Sequence, residues 1–231
     1  MRLLRFCPLA LRALAFLLER SPTFLRLSWI AMLATLLAGA VSERFIWLGG
    51  IVDLMVRGVF VVAWMRLVAE GELPSGAAPF RLGRREIFTA LGWMVAETFV
   101  TFPAHLIAAS LGMATGIVSS DLVIVLLALA HALLGVVFLL PSEAALEPED
   151  GKSWQLPEMV MSGGIAVSLA AFLAWLPGNL LDWAVRMLPT QEVLDGITLT
   201  QMLLVPIHYL AMALMGGTMA LVWKALSSEK I

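Results

Sequence analysis

The stretch IVDLMVRGVFVVAWMRLV, residues 51–68, is apolar except for Asp53, Arg57, Gly58 and Arg66. As a helix it would rise about 27 Å, close to the roughly 30 Å of a bilayer's hydrocarbon core. Such a run is a core helix in a soluble protein and a crossing in a membrane protein, so what decides is whether the pattern repeats. It does: comparable runs recur at about 24–42, 46–69, 87–113, 122–141, 160–181 and 199–223, separated by short polar breaks. Of 231 residues, 61% are hydrophobic and 14% charged, whereas ordinary soluble domains are about a quarter charged. No single water-soluble core could hide this much apolar surface. The expected fold is an all-α, polytopic membrane helical bundle: one membrane domain over 1–231, with six transmembrane helices after an N-terminal interfacial amphipathic helix over 1–22.

That N-terminal segment, MRLLRFCPLALRALAFLLER, is basic and apolar like the start of a signal peptide. At 100° per residue, however, Arg2, Arg5, Arg12, Glu19 and Arg20 fall within a sector of roughly 120°, leaving the rest of the circumference to Leu, Ala and Phe. This is the pattern of a helix lying in the membrane interface, beginning after Pro8. Cleavage at the A-x-A pattern Ala38, Gly39, Ala40 would demand an n-region of over about 20 residues that is itself apolar, so the segment is expected to be retained. The single cysteine, Cys7, rules out an internal disulfide and, with no hydrophobic segment before it, is not expected to carry a lipid. Three histidines without a second cysteine give no zinc pattern, and no metal or other cofactor is expected.

Net charge is −2 and no run of like charges is long enough for a nucleic-acid tail, so no DNA or RNA partner is expected. Lysine and arginine accumulate on the cytoplasmic side of a membrane. With the N-terminus inside, twelve of the 15 fall inside, Arg44 and Arg186 fall outside, and Arg57 is left within the membrane. The asymmetry predicts a multi-pass inner-membrane protein with both termini cytoplasmic. Trp29, Trp47, Trp64, Trp183 and Trp223 fall near the proposed span ends, where an amphipathic ring prefers to sit, and Trp93 and Trp175 fall deeper.

In a helix entering from the outer face near Phe45, Asp53 lies roughly 10 Å deep and Arg57 roughly 17 Å, one turn apart on the same face. They can pair. An arginine alone at the bilayer centre costs at least about 2.5 kcal/mol, so this face must turn toward protein or water. Arg66, near the cytoplasmic end, can snorkel. The third run puts Glu97 roughly 15 Å from the inner face, close to Arg57 in depth, with Thr101 and His105 following at one-turn intervals as a polar stripe. Pro103 removes the hydrogen bond that the Phe99 carbonyl would receive, leaving room there for a kink or a bound polar group. His131 and His208, the latter just after Pro206, come out near mid-depth, a placement that permits ligation of a pigment or haem, although no haem-attachment motif is present.

Two readings of these groups compete. In one, Asp53, Arg57, Glu97, Thr101 and His105 form a dry, fully paired network that fixes which helices face each other. In the other they line a polar cavity for a small solute or a lipid headgroup. The small-residue pairs Gly112/Gly116, Gly164/Ser168, Ala213/Gly217 and Gly216/Ala220 allow close helix approach, within the chain or with a partner subunit. No Walker loop, H-E-x-x-H or G-x-S-x-G is present. The connector 142–158, with Glu143, Glu147, Glu149, Asp150 and Glu158 against Lys152, is expected to be solvated. The expected function is therefore non-catalytic: an accessory or scaffold subunit of a membrane assembly, whose partners are the lipid bilayer and other membrane subunits. The alternative is a small-solute or lipid-handling transporter. A scaffold predicts a dry network and an exposed apolar or glycine-lined flank, whereas transport predicts a water-accessible cavity reaching Glu97.

The segments ALRALAFLLERSPTFLRLSWI, VFVVAWMRLVAEGE leading to PFRLGRREIFTALGWMV, FLLPSEAAL before the fifth run, and the ending MALVWKAL together resemble a family of uncharacterised bacterial six-helix inner-membrane proteins. More distantly they resemble the membrane domain attached to some glycerophosphodiester phosphodiesterases. The similarity covers nearly the whole chain and implies the fold but no activity, because the shared phrases are interfacial and not catalytic. The family pattern reads tryptophan, histidine, arginine where this chain has Trp64, Met65 and Arg66, and its loop before the fifth run is more basic than the acidic one here.

Overall fold

The computed structural model describes residues 4–42, 45–71, 83–115, 120–146, 156–188, 192–194 and 197–228. Arg2, Arg44, Arg81, Gly116, Lys152 and Lys230, and the acids Glu147, Glu149 and Asp150, lie outside the described residues. The described chain forms helices α1 (Cys7–Glu19), α2 (Ser21–Ser42), α3 (Ile46–Glu70), α4 (Arg84–Thr115), α5 (Ser120–Leu134), α6 (Leu139–Leu146), α7 (Leu156–Arg186) and α8 (Leu199–Ser228). A 3-10 turn, Gly135–Phe138, joins α5 to α6, and a short antiparallel pair, β1 (Glu192–Leu194) with β2 (Ile197–Thr198), precedes α8. Five segments are long and apolar enough to cross a membrane: Ser21–Ser42, Arg84–Ala114, Asp121–Leu146, Gly164–Arg186 and Leu199–Ser228. By length and composition this is a multi-pass membrane protein. The segment expected as the second of six crossings is the 25-residue α3, which packs on α2, α4 and α8 but is not one of those five.

Local chemistry fixes several of the ends. The Gly83 amide donates to Glu86 Oε2 at 2.9 Å, starting α4 with an acid in its first turn. At α8, the Thr198 amide donates to Gln201 Oε1 at 2.8 Å while the Gln201 amide donates to Thr198 Oγ1 at 3.2 Å, a reciprocal capping box. Gly71, at φ 73°, closes α3 in a left-handed turn that side chains disfavour. α1 begins at Cys7, with Pro8 inside its first turn and not before it. The face carrying Ala10, Ala13 and Leu17 is buried, with α1 packed on α7 and α8, while Leu11 and Leu18 stay exposed beside Arg12 and Glu19. An exposed leucine pair beside charges suits a helix at the membrane interface.

α8 is the centre of the bundle: Met212 to Ala220 are buried continuously, and α1, α2, α3, α6 and α7 all pack on it. A helix that is apolar all round belongs inside. Trp64 ties α3 to it. Expected near a span end, this ring is instead 1% exposed, and its Nε1 donates to the Ala213 carbonyl at 2.8 Å. A buried indole N–H left unpaired would cost about 1–3 kcal/mol, which this bond avoids. Phe16 and Phe24 meet the ring edge-on and Phe60 stacks on it, so residues from α1, α2 and α3 share one aromatic cluster. Tyr209 extends the cluster through Phe60 and hydrogen-bonds the Thr35 hydroxyl at 2.9 Å, adding a second link from α8 to α2.

The acidic connector differs from expectation at its start. The fourth run does not stop at 141 but continues through the 3-10 turn into α6, which packs on α3, α4 and α8. Glu143 is thereby carried inside, 4% exposed, and is not solvated. Ser168, paired with Gly164 in the sequence, holds that turn: its hydroxyl accepts from the Val136 amide at 2.9 Å and donates to the Leu133 carbonyl at 3.2 Å.

The expected seam at Gly216 and Gly217 packs on Met65 and Trp64, but Gly164 faces open space. Tighter helix approaches lie elsewhere: a Cβ at Gly58 would sit 2.5 Å from that of Ala90, and one at Gly178 would sit 2.4 Å from that of Ala211. Gly58→Val and Gly178→Val should each lower the melting temperature in detergent by the equivalent of about 1–3 kcal/mol of overpacking. Gly164→Val should leave it unchanged. Equal shifts at all three positions would contradict this packing.

Candidate functional site

The site grows from one ion pair. Arg57 Nη2 lies 2.7 Å from Asp53 Oδ2, one turn back on α3, with the side chains 28% and 25% exposed. The pair is only partly satisfied, because Arg57 Nε and Asp53 Oδ1 are both buried without a hydrogen-bond partner. Buried polar atoms of this kind call for water or a ligand. Arg57 stands between two cavities. The smaller, of about 210 Å³, lies among α2, α3 and α8 and touches Thr35, Asp53 and Gln201. The larger, of about 250 Å³, is bounded by α3, α4, α5, α7 and α8.

On α4, Trp93, Glu97 and Thr101 follow at one-turn spacing along the wall of the larger cavity. The neighbouring stripe of Ala96, Val100, Ala104 and Ala108 is buried and anchors the helix to the bundle. The main contacts of α4 are with α3, α5 and α6, which leaves the cavity between it and α7. The Glu97 carboxylate makes no hydrogen bond or ion pair among the described residues; only its backbone carbonyl is engaged, by Thr101 Oγ1 at 2.8 Å. His105, expected to extend this stripe, is exposed and does not line the cavity. Steps of four residues drift by about 40° each, so by His105 the row has rotated away from Trp93. The helix runs unbroken through Pro103.

The opposite wall holds a cluster that the sequence pattern did not flag. Asp182 Oδ2 accepts from Arg186 Nε at 2.6 Å, and Oδ1 accepts from Arg186 Nη2 at 3.2 Å and from His208 Nε2 at 3.1 Å. A carboxylate only accepts, so His208 Nε2 carries the hydrogen. The fifth apolar run ends at 181, just before Asp182, but α7 continues to Arg186. The available signal was the four-residue Asp–Arg spacing on one helix face.

His131 occupies the cavity wall on α5. Its Nδ1 lies 2.8 Å from the Leu127 carbonyl, and its ring stacks at 4.4 Å on Trp175 and at 6.0 Å on Phe138. Both mid-depth histidines therefore reach the same cavity, each with its own hydrogen-bond partner. Among the described residues no group of three or more His, Cys, Asp or Glu side chains is arranged to hold a metal ion. The cavity is lined by members of two ion pairs, by a carboxylate without a partner among the described residues and by an aromatic wall, an arrangement suited to binding a small polar molecule with apolar parts.

No family model, curated protein or solved structure matches this chain. The Asp53–Arg57 pair gives a direct test of the electrostatics. Asp53→Asn and Arg57→Gln should each destabilise the protein in detergent because each strands the partner's charge. The double variant should recover stability, with a coupling of about 0.5–3 kcal/mol in a thermal-unfolding cycle. Additive losses would show that the two side chains do not support each other.

Proposed function

We propose that this chain is a six-span inner-membrane protein, with both termini cytoplasmic, that binds a small polar solute or lipid headgroup within the membrane and passes it on. α3 serves as the remaining crossing: its 25 residues give about 37 Å of helix, and its charges turn toward cavities and away from lipid. In this orientation the Asp182–Arg186 end of α7 and the start of α8 face outward, so the larger cavity opens toward the outer side. The observation that carries the reading is the Glu97 carboxylate, without an ion-pair partner among the described residues, lining a cavity that also reaches the partly satisfied Arg57. Intramembrane ionisable groups are costly and are kept where they serve a pathway or a ligand. A dry, fully paired network, the mark of a scaffold, would leave neither group in this state.

The site is fitted to binding more than to bond-making. Thr101 offers a hydroxyl in the cavity, but that hydroxyl donates to the Glu97 backbone carbonyl and not to a base, as a nucleophile would need. The accessory-subunit reading retains one supporting observation, the open face at Gly164, where a second helix could approach closely.

The binding reading predicts water at Glu97. In a Cys7→Ser background, Glu97→Cys should react with a charged, membrane-impermeant thiol reagent, whereas Phe102→Cys on the exposed apolar face of the same helix should not. Absence of labelling at position 97 from either side of the membrane would remove the cavity from the function.

A further inference from the structure

We infer that the larger cavity takes a small organic ammonium ion, either a free amine or the ammonium head of a lipid. This rests on the binding reading above and adds the chemistry of the ligand. The Arg57 charge is already matched by Asp53 through Nη2, and that of Arg186 by Asp182, so an anion entering the cavity finds both guanidinium charges neutralised and only the single Arg57 Nε–H left to donate to it. Among the described residues the Glu97 carboxylate has no hydrogen-bond or ion-pair partner, and it leaves a negative charge to be matched. A cation supplies that match without breaking an existing pair.

The rest of the wall suits an organic cation better than a metal ion. Trp93 stands one helical turn before Glu97 and meets Phe138 edge-on at 5.4 Å, and Trp175 lies on the far side of His131, stacked on it at 4.4 Å. All four rings line the cavity. Aromatic faces attract alkylammonium groups through the ring quadrupole and also bury their apolar substituents. A bare divalent ion would need several oxygen or imidazole ligands together, and the Asp182 carboxylate and both histidines are already engaged. The volume of about 250 Å³ holds roughly eight waters' worth of space, which admits a compact amine or a headgroup but not a lipid's chains.

Tetraethylammonium chloride is the probe, titrated by calorimetry into the purified full chain, with sodium benzoate as an anion of comparable size. The proposal expects saturable tetraethylammonium binding that weakens at least tenfold in Glu97→Gln, an exposed position whose change should not disturb folding, and several-fold in Trp175→Leu. Benzoate should give no isotherm. Repeating the titration in phosphatidylcholine and phosphatidylglycerol nanodiscs separates the two sources. Competition by phosphatidylcholine alone identifies a lipid headgroup, and equal isotherms in both identify a free amine. Tetraethylammonium binding that is unchanged in Glu97→Gln, or benzoate binding in its place, overturns the ammonium assignment. If position 97 labels with the thiol reagent but no cation binds, the ligand class falls while the cavity stands. If position 97 does not label, both fall.

Discussion

A guanidinium set midway along an apolar helix constrains everything around it. Arg57 cannot face acyl chains without a penalty of a few kcal/mol, and α3 answers by placing Asp53 one turn away and turning both toward cavities. The neutralisation is incomplete, since one donor and one acceptor of the pair remain buried without partners. A bundle built only for stability would do better with apolar residues of similar size at both positions. What the pair provides is a fixed polar wall between two cavities, beside which Glu97 is left without an ion-pair partner among the described residues.

Two kinds of packing coexist around that wall. The Trp64 end of α3 is locked to α8 by an indole hydrogen bond, four aromatic neighbours or near-neighbours, and glycines that let the ring approach the α8 backbone. α4 packs on α3, α5 and α6 through Ala90, Trp93, Ala96, Val100 and Ala104 and presents large apolar side chains such as Phe99 and Phe102 outward.

Much of the helical layout could be read from the letters, because long apolar runs announce themselves: the six runs correspond to α2, α3, α4, α5 with α6, α7 and α8, and all but α3 are long and apolar enough to cross a membrane. The one-turn spacing of Asp53 and Arg57 likewise announced their pair. Other features escaped for identifiable reasons. Trp64 looked interfacial because its position near a span end is shared by lipid-anchoring tryptophans, and only the tertiary arrangement reveals a carbonyl on α8 waiting for its N–H. Glu143 looked solvated because it opens an acidic stretch, yet α6 carries it inward. His105 shares spacing with Glu97 and Thr101, but helical drift and the limited depth of the cavity separate it from them. Asp182 and Arg186 fall outside a run that ends at 181, five residues short of the end of α7, and the cluster they form with His208 goes unseen for that reason.

The central claim is that one face of α4 is wetted within the membrane while the opposite face meets lipid. Spin labels introduced singly at Val95, Glu97, Thr101 and Phe102, with the protein in lipid bilayers, measure this by collision with a water-soluble nickel chelate against collision with oxygen. The structure predicts nickel-dominated relaxation at positions 97 and 101 and oxygen-dominated relaxation at 95 and 102. Oxygen-dominated relaxation at all four would mean that no aqueous cavity reaches Glu97, and would contradict the account.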